Sequence, residues 1–137
     1  MALETFELEI ATPERLLVQE RVSEAEIPCA SGQIGVLAGH APLLSELGIG
    51  ELTYLVEGKK HSIAIAGGVV EVQPEYVRVL AMTAERPEDI DTSRAQAALK
   101  RAMERLETIK ENIDYARALN AAKRAQARLR VAASLRF

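Results

Sequence analysis

The chain has 137 residues, of which 48% are hydrophobic and 27% charged, and its net charge is −3. These values are typical of a folded globular protein and exclude a disordered chain. The single cysteine, Cys29, excludes an internal disulfide and indicates a reducing compartment.

The charge is divided unevenly along the chain. Residues 1–85 hold 5 basic and 13 acidic side chains, whereas residues 86–137 hold 12 basic and 7 acidic ones. Gly and Pro punctuate the first part and are absent after Pro87. We therefore predict a first domain over 1–85 and a helical domain over 86–137, and the opposite charges indicate partner-binding surfaces.

The first domain is predicted to be an antiparallel β-sandwich. Phe6, Leu8 and Ile10 alternate with glutamates, which is the period of a half-buried strand. No helical pattern interrupts the domain, so a sandwich is favoured over alternating strands and helices. Turn residues separate the further strand-like runs, which are Arg15–Gln19, Ser23–Ile27, Ile34–Leu37, Leu52–Val56, His61–Ile65, Val69–Val72 and Val77–Ala81.

A glycine-rich segment spans Gly32–Leu44, with three glycines and a proline. It lacks the Lys-Ser/Thr pair and the following helix of a phosphate-binding loop. Its composition allows two interpretations: a pair of tight turns at a sandwich corner, or a loop that docks another subunit. His40 and His61 lack a metal-ligand spacing with each other or with Cys29, and no nucleophile elbow is present. We therefore expect neither a metal site nor an enzyme.

The second domain is predicted to be an antiparallel two-helix hairpin. Asp91 is suited to cap the first helix, and the polar break Lys110–Asn112 separates it from the second, with Asn112 as the hinge. The apolar positions recur at helical spacing and are mostly alanines: Ala95, Ala98, Leu99, Ala102, Met103, Leu106 and Ile109, then Leu119, Ala122, Ala125, Leu129 and Ala132.

An alanine hairpin is expected to close weakly. A buried alanine methyl contributes about 0.8 kcal/mol, against roughly 1.5–3 kcal/mol for a buried leucine side chain. The hairpin could therefore leave the sandwich or open at Asn112, and one continuous helix from Asp91 to Arg136 would reach roughly 70 Å.

Basic side chains on both helices indicate an anionic ligand or partner. Arg94 and Arg101 share one face of the first helix, and Arg124 and Arg128 share one face of the second. In a folded hairpin these four could converge on a phosphate, for which guanidinium groups are suited, or they could face an acidic surface. Nucleic acid is disfavoured because the first domain is acidic and no aromatic residues are interleaved.

Several motifs, taken together, resemble those of the epsilon subunit of the bacterial F-type ATP synthase. These are Gly32–Leu44 with its Gly39-His40-Ala41-Pro42 core, Gly67–Val72, and Ile90-Asp91-x-x-Arg94-Ala95 after Glu85. The resemblance covers the whole chain in order. It implies a ten-stranded β-sandwich followed by a two-helix hairpin, in a non-catalytic subunit of the central rotor.

The resemblance also implies partners and sites. The sandwich would contact the gamma subunit and the c-ring through Gly32, Gln33, Gly39, His40 and Pro42, with Gln33 toward the c-ring and His40 near gamma. The extended helices would contact the catalytic beta and alpha subunits and inhibit ATP hydrolysis, for which we single out Arg117, Lys123 and Arg130. ATP would bind the folded hairpin as a regulatory ligand at Glu85, Ile90, Asp91, Arg94, Ala95, Arg101, Arg124 and Arg128, and no cofactor would be required.

These expectations place the chain at the cytoplasmic face of the plasma membrane as a peripheral part of the synthase. Its first residues do not resemble a signal peptide, and no window is apolar enough to cross a membrane. The alternative is a stand-alone ATP-responsive sensor or adaptor that uses the same hairpin. A stand-alone sensor needs no second docking surface, so failure to recover gamma or c subunits in a pull-down would favour it.

Overall fold

The computed structural model describes residues 4–108 and 112–136. They form eight β-strands and then two α-helices, which confirms the predicted sandwich and hairpin with eight strands rather than about ten. The strands are β1 (Phe6–Ala11), β2 (Leu16–Val22), β3 (Glu24–Cys29), β4 (Gly32–Leu37), β5 (Leu43–Glu46), β6 (Ile49–Val56), β7 (Lys59–Val72) and β8 (Tyr76–Glu85). The helices are α1 (Thr92–Thr108) and α2 (Asn112–Ala133).

The strands are connected in the order β2-β1-β8-β7-β6-β3-β4, and β5 pairs with β7. Neighbouring strands are antiparallel except β1 and β8, which run parallel. The first part of β7 pairs with β6 and its last four residues pair with β5. This change of partner lets one long strand belong to both layers around a single core.

Alternation along the strands fills that core. Phe6, Leu8 and Ile10 of β1 are at most 1% exposed, as their spacing predicts. They pack with Ile27, Leu52, Ile65 and valines of β7 and β8 in one cluster. Aliphatic side chains therefore make up most of the interior.

Gly67 and Gly68, predicted to form a turn between two strands, instead bend the continuous strand β7. Both have positive φ, at 75° and 118°. The register with β8 is the same on both sides of the bend, since Ala66 pairs with Thr83 and Gly68 with Ala81, and Gly67 lies opposite Met82. The chain therefore continues in the same direction, and the two predicted runs on either side form one strand.

The hairpin rests on the sandwich through α2. This helix lies against β6 and β7, and α1 packs on α2. The buried positions between the helices are alanines, among them Ala95, Ala102, Ala118 and Ala122. The predicted alanine contact between antiparallel helices is therefore present.

The start of α1 has the predicted cap. The Asp91 carboxylate accepts a hydrogen bond from the Arg94 backbone N–H at 3.0 Å, the geometry of an N-cap. Glu88 and Asp89, expected at the helix start, lie instead in a short 3-10 turn, Pro87–Asp89, where Asp89 is 3.6 Å from Arg15. The predicted stripe residue Ile109, the break Lys110–Glu111, the Asn112 side chain and Phe137 lie outside what the structure describes.

Candidate functional site

A cavity of about 280 Å³ lies between the hairpin and the sheet. β7 and β8 form its floor, and both helices form its walls. Three of the predicted nucleotide-binding residues line it, namely Glu85, Arg124 and Arg128. The remaining lining is apolar or small: Ala64, Ile65, Ala66, Thr83, Ala98, Ala121, Ala125 and Ala127. A small apolar cleft with a few charged groups is a typical setting for a ligand.

Glu85 and Arg128 form an ion pair in the lining of this cavity. Arg128 Nε lies 2.8 Å from Glu85 Oε1, and Arg128 Nη2 donates to Glu85 Oε2 at 3.2 Å. The closer contact is ionic, because the Nε–H direction does not satisfy hydrogen-bond geometry. The two side chains are 25% and 33% exposed, so the pair is partly shielded from water.

A second, smaller cavity of about 160 Å³ lies between the two helices. It shares Ala98 and Ala121 with the first cavity, and Arg101 and Arg105 line it. Arg105 was not predicted, although it follows Arg101 by four residues and therefore lies one turn further along the same face. The two adjoining cavities present four guanidinium groups and one carboxylate.

The motif residues at the start of α1 shape the site without lining the first cavity. Ile90 is 8% exposed and packs with Ala64 and Val131, which ties the linker to β7 and α2. Ala95 is fully buried, and Asp91 caps the helix. Arg94 is exposed and lines neither cavity, so the structure brings together two of the four arginines predicted to converge, with Arg101 adjacent and Arg94 apart.

The predicted docking segment is an edge strand followed by a short loop. Gly32 and Gln33 open β4, which pairs only with β3 among the described strands, and both are exposed. Gly39, at φ 80°, donates from its N–H to the Pro74 carbonyl at 2.9 Å. Gln33 and Leu37 are separated by about 13 Å of strand, so Gln33 and the His40 loop lie at different ends of the strand.

The outer face of the sheet carries exposed apolar side chains that the sequence analysis missed. Val69 of β7 and Leu80 of β8 are directly paired and are 43% and 49% exposed. Met82 lies next to them against Gly67 and is 67% exposed, and Leu44 of β5 is 75% exposed. We call these four residues the outer apolar patch. The sequence could have predicted this patch, because side chains alternate between the two faces of a strand and the runs Val69–Val72 and Val77–Met82 are apolar at positions of both faces.

Beside this patch the outer face is polar. Arg78 donates from Nε to Glu9 Oε2 at 3.0 Å, lies 3.7 Å from Glu71, and stacks over the Tyr76 ring at 4.8 Å. The hydrogen bond that Arg78 donates to the Glu9 carboxylate raises the pKa of Arg78. A polar rim beside an apolar patch is typical of a protein–protein interface.

The three residues predicted to act in inhibition, Arg117, Lys123 and Arg130, are exposed on α2. None of them takes part in an ion pair within the described residues. Arg128, on the same helix, differs because it forms an ion pair with Glu85 at the end of β8. In the part of the chain that the structure describes, no helix could span a membrane and no three His, Cys, Asp or Glu side chains gather around a common point.

Comparison with known families matches almost the whole chain in two adjoining segments. Residues 5–87 match the family described as ATP synthase, Delta/Epsilon chain, beta-sandwich domain. Residues 88–133 match the one described as ATP synthase, Delta/Epsilon chain, long alpha-helix domain.

Curated relatives carry the same description. The ATP synthase epsilon chain of Solibacter usitatus is 59% identical over 99 residues, which cover 72% of this chain and 74% of that protein. The ATP synthase epsilon chain of Koribacter versatilis is 51% identical over 105 residues, covering 77% and 74%.

Solved structures of rotary complexes contain similar chains. A chain in the cryo-EM structure of the Euglena gracilis mitochondrial ATP synthase, with OSCP, F1 and the c-ring, superposes with a TM-score of 0.79 at 26% identity. That match covers 98% of this chain and 84% of the other. A chain of the Tetrahymena thermophila mitochondrial ATP synthase central stalk and c-ring has a TM-score of 0.54 at 16% identity over the full length of both, which shows a shared fold.

Proposed function

Since the chain belongs to the ATP synthase epsilon family of non-catalytic central-stalk subunits, we propose that it docks gamma and the c-ring through its sandwich and regulates ATP hydrolysis through its hairpin. In this proposal ATP binding favours the hairpin folded back on the sandwich, and loss of ATP favours its extension toward the catalytic subunits. Family membership favours the central stalk over a stand-alone sensor. The subunit would then be peripheral, at the cytoplasmic face of the bacterial plasma membrane.

Docking through the sandwich is supported by two separate surfaces. The outer apolar patch offers a surface whose burial would be favourable against another protein. Gln33 of the exposed strand β4 offers a second surface at the end of that strand away from the loop, whereas the loop with Gly39, His40 and Pro42 leads into β5 and adjoins the patch at Leu44. Two surfaces suit a subunit that contacts gamma and the c-ring at once.

A mobile hairpin is supported by the size of the side chains that hold it. The contacts between α1 and α2 are largely alanine methyls, each contributing about 0.8 kcal/mol when buried. On the sheet side, α2 lies over strands whose buried residues include Thr53, Ser62 and Ala64. The closed state is therefore stabilised by many small contributions that a partner or ligand can outweigh.

Regulatory ATP binding is supported by the cavity between hairpin and sheet, which is the observation that carries this part of the proposal. Its volume of about 280 Å³ is at the lower limit for a small-molecule site, and the adjoining groove with Arg101 and Arg105 extends it. A base could enter the apolar part beside Glu85 while the phosphates reach the arginines. Because both helices and the sheet form the walls, a ligand held there would favour the closed hairpin.

The stabilisation of the closed hairpin by such a ligand is similar in size to the contribution of its alanine contacts. A ligand that binds only the closed form stabilises it by about 2.7 kcal/mol at a hundredfold excess over its dissociation constant. This equals a few buried alanine methyls, so it can decide which state prevails. Coupling is reciprocal, and extension of the hairpin weakens ATP binding by the same factor.

A cross-link tests the regulatory role in the assembled enzyme. Ala64 of β7 and Val131 of α2 belong to one buried cluster, so mild oxidation should form a disulfide between Ala64→Cys and Val131→Cys only when the hairpin closes and brings the two thiols together. The locked enzyme should hydrolyse ATP faster than the uncross-linked enzyme, because extension is blocked. The single variant Val131→Cys, treated alike, is the control, and equal rates with and without the lock would contradict the proposal.

A further inference from the structure

The pair formed by Glu85 and Arg128 occupies the place where a nucleotide is expected. Glu85 ends β8, and Arg128 belongs to the second half of α2. Their contact at 2.8 Å joins the sheet to the helix at the edge of the cavity. Among the described residues it is the only ion pair between α2 and the sandwich.

The same two residues have separate roles in the expected nucleotide site. In the binding mode proposed above, the base would lie beside Glu85 and the phosphates would reach Arg128. Glu85 cannot contact the base and Arg128 cannot contact a phosphate while their carboxylate and guanidinium groups are paired with each other. Arg128 must therefore turn away from Glu85 before it can neutralise a phosphate.

We propose that Glu85 and Arg128 form an intramolecular latch that keeps the hairpin closed without a ligand, and that an entering nucleotide displaces it. The latch is independent of ATP, whereas its displacement rests on the function proposed above. A nucleotide would replace one link between α2 and the sheet by another, so ATP changes the strength of closure rather than creating it.

Partial burial increases the contribution of this ion pair to the stability of the closed hairpin. Exposed ion pairs contribute little because water and salt screen them. Here both side chains are at least two-thirds covered, and removal of one partner leaves the other charge in a cavity lined mainly by alanine. Removing either charge is therefore expected to favour the open hairpin.

The experiment measures hairpin closure in the isolated full-length chain by energy transfer. Labels are placed at Gln33→Cys on β4 and Lys123→Cys on α2, two exposed positions, while Cys29 is buried and protected from labelling. Glu85→Gln and Arg128→Gln are compared with the charge swap Glu85→Arg with Arg128→Glu. Arg130→Gln is the matched control, because it removes an exposed charge from the same helix. Circular dichroism verifies that every variant is folded.

Without nucleotide, each single variant should shift the closed–open ratio toward open by at least about threefold, within the range of coupling energies for contacting charges. The swap should restore closure, and Arg130→Gln should match the parent. Equal closure in the parent, both single variants and the swap would overturn the latch.

The same measurement with ATP added then distinguishes a failure of the latch from a failure of the proposed regulatory function. At ATP concentrations that saturate each variant, ATP should increase closure more in Glu85→Gln than in the parent, because the parent is already held closed. A larger response in the parent would overturn displacement. If no variant responds to ATP while the swap still restores closure, the latch stands and the regulatory function fails. If ATP closes every variant but the single variants equal the parent without it, the function stands and the latch fails.

Discussion

Gly68 lies so close to Leu80 on the neighbouring strand that a Cβ atom added to it would be 2.1 Å from the Leu80 carbonyl oxygen. Its φ of 118° is also one that other residues rarely adopt. The bend of β7, and hence the closure of the sandwich, therefore depends on glycine at this position.

We expect Gly68→Ala to destabilise the chain by at least about 2 kcal/mol, from backbone strain and the contact with Leu80. Thermal unfolding followed by circular dichroism measures the effect. Gly35→Ala is the control, because Gly35 has open space around its Cβ position and no positive φ. Equal unfolding temperatures for the two variants would contradict this account of the bend.

The outer apolar patch should contribute to assembly rather than to folding. Leu80→Ser changes a side chain that is 49% exposed, so the isolated chain should unfold at nearly the parent temperature. Its recovery of gamma in a pull-down should fall. Leu135→Ser, at a residue 60% exposed near the end of α2, is the control that should leave recovery unchanged. Undiminished recovery by Leu80→Ser would remove the patch from the docking surface.

The docking loop allows a separate test. Gly39 has positive φ with open space around it, so Gly39→Val should strain the loop next to Pro74 while the core stays intact. Assembly into the rotor should weaken although the sandwich remains folded. Parent-like assembly of this variant would show that the loop conformation does not matter for docking.

The exposed basic side chains of α2 should take part in inhibition. Changing Arg117, Lys123 and Arg130 to alanine should raise ATP hydrolysis by the assembled enzyme. The gain should shrink as salt increases, since the screening length falls from about 8 Å at physiological ionic strength to about 3 Å at 1 M. Lys100→Ala, which removes an exposed charge from α1, is the control. Unchanged hydrolysis in the triple variant would indicate that shape rather than charge blocks the catalytic subunits.

Tyr54 should make the fold sensitive to alkaline pH. Burial, and then the nearby Glu20 carboxylate, raise the pKa of Tyr54 above its ordinary value of 10.0. Folding therefore favours the protonated phenol, whose contribution is complete below pH 10 and is lost as the pH rises through the folded pKa. Tyr54→Phe should lose less stability than the parent between pH 9 and pH 11 in denaturant unfolding. Equal losses of stability in Tyr54→Phe and the parent over this pH range would contradict the role assigned to Tyr54.

Local sequence patterns predicted most of the fold, because apolar and polar residues alternate along most strands or because Gly and Pro mark the ends of the strands. They did not predict β5, where Pro42 precedes Leu43–Glu46 and no buried face repeats along four residues that are mostly exposed. The bend of β7 was also missed, because a pair of glycines is compatible with either a turn between two strands or a bend within one strand.

Only part of the candidate site came together as predicted, and the reason is geometric. Arg94 and Arg101 share a helix face but lie about 10 Å apart along it, whereas Arg124 and Arg128 are separated by about 6 Å. Only the second pair lines one cavity with Glu85. The contact between Glu85 and Arg128 spans 43 residues of sequence, and no local pattern indicates it.

Calorimetric titration of the isolated chain with ATP up to millimolar concentration tests the regulatory function most directly. We predict saturable binding by the parent and by Lys123→Ala, whose side chain is exposed outside the cavity. Arg124→Ala should bind at least about tenfold more weakly, because a charge-assisted bond to phosphate is lost. The absence of binding by the parent, or equal affinity of Arg124→Ala and the parent, would contradict an ATP-responsive hairpin.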